Sequence, residues 1–485
     1  MTSRPHATLA RGTLSLREVL FQSIAAMAPG GALAVSIAVA ATYAGGALPL
    51  AVILGFLPCL TVAVSIGQLS KFLPSAGSIY TYPARALHPN LGFLVGWGYA
   101  LSAAAWCPAV ALMTSFQVSA FVASGSRAIF QLVWPMIFVG TSFAIMLLGY
   151  RGVNVSARVG TALGTIEILV FAGLAACMIV AAGPTNSFAP FGIEFANVSQ
   201  YPGSAGVLVA AVFTVQAFVG FEAATPLAEE AIEPKRTIMR ATLFACICIG
   251  IFYLLTTYAA VVFRGPRTFF TFGEALEQAN PWSELARRVW GTSSIAVYLA
   301  VLSSNLGAQN AFANAASRTW FAMARIELLP SGLSRTHSRW KSPHVAILTQ
   351  FAFTLVVGAA AGFIFGPVDG SVLLATIGTA IPLGVYILTN LSCLVYFARH
   401  RRGDFNVLLH GVLPVAGIAL LIPILMAALG IGSRVLPFAT PLPYPISISG
   451  PVLIAWYCVG VVYLAYLRRC YPARLQRTAE IFSGG

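Results

Sequence analysis

Charge is what this chain lacks. Only 9% of its 485 residues are Asp, Glu, Lys or Arg, where a soluble globular protein carries about 25%. With 58% hydrophobic residues and a mean hydropathy of +0.84, this excludes a large soluble core and implies a polytopic membrane protein. Metal and disulfide chemistry are also missing. The eight cysteines include no CxxC pair and fall almost entirely in apolar runs, so neither a disulfide framework nor a zinc site is supported. No His/Cys/Asp/Glu cluster has metal-ligand spacing, and no Walker, GxSxG or zincin motif occurs. An ATP-driven pump and an intramembrane enzyme are thereby disfavoured, and no cofactor is called for. All six histidines (His6, His88, His337, His344, His400, His410) lie in tails, loops or span ends, which excludes a histidine relay at mid-membrane. The N-terminus lacks a cleavable signal pattern, so the first apolar run reads as a retained helix.

What the chain does have is a basic surplus, with a net charge of +14. Its distribution argues against nucleic acid. About 20 apolar residues cross a bilayer, and twelve candidate spans emerge: 19–44, 47–70, 92–122, 129–149, 159–182, 204–230, 237–263, 291–322, 344–365, 371–397, 410–430 and 450–467. Of the 28 basic residues, six (Arg127, Arg264, Arg267, Arg287, Arg288, Arg434) fall on one side and the remaining 22 on the other. That asymmetry is the positive-inside pattern, and it places both termini in the cytoplasm. The segment after span 7, residues 264–290, is expected to form short helices over the outer face.

Two spans are interrupted. Span 1 contains Met27-Ala28-Pro29-Gly30-Gly31; span 6 contains Phe218-Val219-Gly220-Phe221-Glu222, with Pro226 beyond. Proline removes a helical hydrogen bond and glycine lowers the cost of unwinding. Unwound backbone survives in a membrane only where protein or a watery cavity satisfies it. Two breaks about 190 residues apart, each opening one half of the spans, are the pattern of an inverted-repeat secondary transporter with a midplane site. Ordinary kinks are the plainer alternative for either break alone.

Two of the 14 acidic residues, Glu167 in span 5 and Glu222 in span 6, fall well inside spans. Intramembrane carboxylates are costly and functional by default. Either can carry a proton or face a cation; the alternative is a carboxylate held by backbone amides with no part in transport. Span 8 adds a polar series that includes Ser304, Asn305, Gln309, Asn310 and Asn314, partly on one helical face. Hydrogen bonding between helices is the competing explanation for that series.

Four stretches together resemble the amino acid permeases of the amino acid–polyamine–organocation superfamily. They are residues 73–82 with 92–97 (LPSAGSIYTY, GFLVGW), 218–222 with Glu229-Glu230 and 234–238 (PKRTI), 317–325 (SRTWFAMAR) and 152–158 (GVNVSAR). The resemblance implies an all-α membrane protein of twelve helices. Its layout would be a cytoplasmic tail (1–18), a first inverted repeat of helices 1–5 (19–182), an exterior loop (183–203), a second repeat of helices 6–10 (204–398), two accessory helices (399–470) and a cytoplasmic tail (471–485). It also implies alternating access in the cytoplasmic (inner) membrane of a bacterium. The substrate carboxylate would meet amides at Ala26, Met27, Ala28, Pro29, Gly30, Gly31 and Ala32. The amine would meet carbonyls there and at Phe218, Val219, Gly220 and Phe221, with the Phe218 and Phe221 rings as gates. Gln216 stands where some relatives carry a large aromatic, and Asn305 and Gln309 complete the expected binding set. Two departures stand out. Pro29 removes one amide donor, and Glu167 aligns where some proton-coupled relatives carry lysine.

The expectation is therefore a transporter, not an enzyme, for amino acids or, alternatively, polyamines and other organic cations. Its partners are a small-molecule substrate, a proton or sodium ion and the lipid bilayer, with no nucleic acid; the oligomeric state stays open. A substrate receptor that binds without translocating is the alternative from another class.

Overall fold

The computed structural model describes residues 12–73, 78–123, 125–199, 201–277, 280–429 and 444–479. Pro74–Gly77 of the first family-like stretch, the end of span 11 and the outermost tails lie outside them.

Eleven helical stretches are long and apolar enough to cross a membrane among the described residues. The first, Leu16–Ser70, has 55 residues. As one straight helix it would be about 80 Å long, against a hydrocarbon core of about 30 Å. It turns back at a 3-10 segment, Gly45–Ala47, where Gly45 takes φ 54° and Gly46 packs against the Pro266 carbonyl. Spans 1 and 2 of the sequence are therefore one continuous helical stretch with a tight reversal.

The bundle is inverted in polarity relative to a soluble protein. Its flanks expose Val180, Leu132, Phe363 and Val462, as a lipid-facing surface should. Its interior is built from alanine, glycine and small hydroxyls, which let helices approach closely. Pro367–His400 is 72% buried across its apolar window, whereas Ile446–Cys470 at the periphery is 22% buried.

Both breaks are real, and their geometry follows from the residues that form them. Helix Leu16–Met27 ends at Ala28, which adopts a left-handed conformation (φ 46°, ψ 63°), and Pro29 restarts the helix at its first position. Proline suits that position because its missing N–H would have no helical acceptor. A π turn, Leu33–Ile37, follows, and the Trp282 indole donates to the Leu33 carbonyl at 2.7 Å. In span 6 the apolar run 204–230 is not one helix. Ser204–Phe218 is α-helical; Val219 and Gly220 are unwound, and Phe221–Leu227 continues as 3-10 helix. Gly220 has φ 120°, and a Cβ there would lie 2.7 Å from the Ala26 carbonyl carbon. Only glycine allows the two broken chains to touch.

The segment between spans 7 and 8 forms a 3-10 helix, Pro266–Glu277, and an α-helix, Pro281–Trp290, as expected. The stretch after span 5 adds a two-stranded ribbon that pairs Asn197–Val198 with Tyr201–Pro202. Span 8 is longer than its apolar run, continuing as helix to Arg325.

Candidate functional site

A cavity of about 960 Å³ starts at the two breaks and runs to the Pro281–Ser294 end of the molecule. Thr292, Ile295 and Phe121 at its rim are exposed, so it opens at that end. Ala26, Met27, Ala28, Gly31, Ala32, Gln216, Val219 and Asn305 of the expected set line it. Pro29, Gly30, Phe218, Gly220, Phe221 and Gln309 do not.

The two rings offered as gates are turned into the core. Phe218 packs between Phe56 and Tyr253, and Phe221 lies against Tyr386. The unwinding at Val219–Gly220 sets their direction, which helical spacing does not anticipate. The aromatic wall is instead Trp106 stacked on Phe312 (5.2 Å between centroids), with Tyr43 stacked on Phe213 (5.4 Å) nearer the rim. No spacing marks these rings in the sequence, because they come from separate apolar runs.

The backbone donors at the span 1 break can be counted. Pro29 has none. The Gly30 N–H donates to Glu167 Oε2 at 2.8 Å and the Gly31 N–H to Ser304 Oγ at 2.9 Å. The Ala28 N–H reaches the Ala25 carbonyl, Ala32 reaches that of Ala28, and Leu33 those of Pro29 and Gly30. Glu167, from span 5, is thus brought to the break; it is 1% exposed, and its Oε1 has no hydrogen-bond partner among the described residues.

Glu222 is held by its own break. Its Oε2 accepts from the Gly220 N–H at 3.0 Å and from the Tyr386 hydroxyl at 2.7 Å. Ser23 ties the halves together by donating to the Phe221 carbonyl (2.6 Å) and accepting from the Ala224 N–H (3.2 Å). The Tyr253 hydroxyl donates to the Ala217 carbonyl at 3.0 Å and lies 3.3 Å from that of Met27. The Ser23 contacts join span 1 to span 6 directly, and the Tyr253 hydroxyl joins them through one residue.

Span 8 divides its polar series. Asn305 faces the cavity and donates to Gln117 Oε1 (2.9 Å). Gln309 faces away and reaches the Ser142 hydroxyl (3.3 Å). Asn310 and Asn314 bond Ser156 on the helix Val153–Ala182 that contains span 5, as interhelical hydrogen bonding would have it.

At the opposite end the molecule is shut. Arg318 makes a two-pronged pair with Glu230 (2.6 and 3.3 Å), both buried, and Arg325 pairs with Glu229 (2.5 and 2.8 Å). Thr13 and Leu14 donate backbone N–H groups to the Glu230 carbonyl, and Ile232 donates to that of Leu14. The chain's entry into span 1, the exit of span 6 and the end of span 8 are bound in one knot.

Comparison with known proteins now bears on this geometry. A family model described as Amino acid permease matches residues 18–478. An uncharacterized transporter of Mycobacterium tuberculosis is 27% identical, over 87% of this chain and 88% of its own. The branched-chain amino acid permease BcaP of Bacillus subtilis is 26% identical, over 73% of this chain and 74% of its own. The low-affinity putrescine importer PlaP of Escherichia coli is 24% identical, over 71% and 74% respectively.

Proposed function

Because the chain belongs to the amino acid permease family and is a membrane transporter rather than an enzyme, we propose that it is a secondary transporter that carries small amino acids or amines by alternating access. The observation that carries this reading is the pairing of an open cavity with a locked opposite end: the cavity's floor is two helix breaks in contact at Gly220. A site reached from one side only, between helices that can rock, is what such a mechanism requires. The open end is the exterior side by the distribution of basic residues, and both termini are cytoplasmic in the inner membrane of a bacterium. Counting the reversal at Gly45 as the end of one crossing gives twelve spans, arranged as repeats 19–182 and 204–398 with two accessory helices.

The coupling ion is a proton in this reading, and Glu167 is its carrier. Glu222 is committed to Gly220 and Tyr386, whereas Glu167 keeps one oxygen beside the break without a partner among the described residues. Releasing Gly30 from Glu167 would change the geometry of span 1 at the cavity floor. The relatives' names, a branched-chain amino acid permease and a putrescine importer, fit both substrate classes.

The test is uptake into proteoliposomes with and without an inward pH gradient. The wild type is expected to be stimulated by the gradient, and Glu167→Gln to lose the stimulation while retaining substrate binding. Equal stimulation in both proteins would remove Glu167 from coupling. Failure to take up any amine or amino acid against a gradient would remove secondary transport itself.

A further inference from the structure

A substrate carboxylate needs donors, and the span 1 break has none to offer. From Ala28 to Leu33 each backbone N–H is already used, two of them by side chains from other spans: Gly30 by Glu167 and Gly31 by Ser304. The positive end of the restarted helix is filled by a carboxylate that belongs to the protein. Backbone donors in a buried place are costly to strand, so an entering anion would have to displace these acceptors.

Nor does a cationic side chain offer itself. Residues 18–44, 92–122, 159–182, 204–227, 295–317 and 371–397 contain no Lys, Arg or His. The described residues that line the cavity include no charged side chain of either sign. Arg318 and Arg325 are paired to Glu230 and Glu229 at the closed end. The buried titratable groups nearest the two breaks are both acidic, Glu167 behind Gly30 and Glu222 behind Gly220, and Glu167 Oε1 has no partner among the described residues. The walls include two stacked ring pairs, Trp106 on Phe312 and Tyr43 on Phe213, and aromatic rings attract cations. Acidic groups, with no basic one beside them, behind an uncharged, aromatic wall favour a cation in the cavity over a second carboxylate.

We propose that the substrate is an organic amine that carries no carboxylate, because Glu167 and Ser304 already hold the amides that an amino acid's carboxylate would need. This rests on the transport reading and narrows its substrate class.

The experiment compares decarboxylated pairs on the purified full-length protein: phenethylamine with phenylalanine, putrescine with ornithine, and isobutylamine with valine. Each compound is measured by binding in detergent and by counterflow in proteoliposomes. In at least one pair the amine is expected to bind at least about tenfold tighter than its amino acid, a difference of about 1.4 kcal/mol, and to exchange. Ser304→Ala frees the N–H of Gly31, a residue at the cavity wall, and is expected to narrow that ratio; Glu167→Ala, if it folds, should do the same at Gly30. If in no pair the amine binds at least about tenfold tighter than its amino acid, the inference is overturned while counterflow upholds transport. Exchange by no member of any pair counts against the transport reading and this inference together. A ratio that Ser304→Ala leaves unchanged would show that the filled amides do not set the preference.

Discussion

Glu222 and Glu167 are alike in sequence, each a lone carboxylate in an apolar run, and unlike in structure. Glu222 accepts two hydrogen bonds through one oxygen, from Gly220 and Tyr386, and so holds the break it sits beside. Removing a buried acceptor leaves its donors stranded, at about 1–3 kcal/mol each. Glu222→Ala should therefore lower the thermal unfolding temperature in detergent, by an amount that reflects two orphaned donors. Glu222→Gln keeps an oxygen with two lone pairs and should unfold close to the wild type. If both variants unfold alike, Glu222 does not hold the break. The choice between a functional and a structural carboxylate could not be read from the sequence, because it depends on Tyr386, 164 residues away, and on the unwound Gly220 amide. Glu167 has the same history: its contact with Gly30 spans 137 residues.

At the scale of elements, the breaks themselves were legible. Proline at a helix restart and glycine at φ 120° are local requirements, and Pro29 and Gly220 advertise them. What was not legible is direction. The two unwound residues Val219 and Gly220 rotate everything around them, so Phe218 and Phe221 face the core while Val219 lines the cavity. The knot at the closed end was legible in part: Glu229-Glu230 and the arginines of residues 317–325 stand in the family-like stretches, and the structure makes them partners. Breaking a buried ion pair by removing one member costs about 3–5 kcal/mol. In a background that lacks the four exposed cysteines (177, 248, 458 and 470), a cysteine at buried Ala231 reports on that end. Arg318→Ala should raise its rate of maleimide labelling several-fold. An unchanged rate would mean that the Arg318–Glu230 pair does not keep the end closed.

The molecule is a bundle whose polarity is turned outward: apolar flanks, a small-residue interior and a large cavity that ends where two interrupted helices meet. Composition alone specified the membrane class, since a chain with 9% charge has no other place to fold. The cavity's walls were not specified, because Trp106, Phe312 and Tyr43 come from separate spans with no shared spacing. The central claim is that substrate passes through this cavity. Met113 lines it and is partly exposed, so a larger ring there fills space without entering the packed core. The direct measurement is counterflow of the panel's amines and amino acids in proteoliposomes that carry either the wild type or Met113→Trp, with matched folding by thermal unfolding. The account predicts exchange by the wild type and its loss in Met113→Trp at an unchanged unfolding temperature. Equal exchange by the two proteins would contradict it.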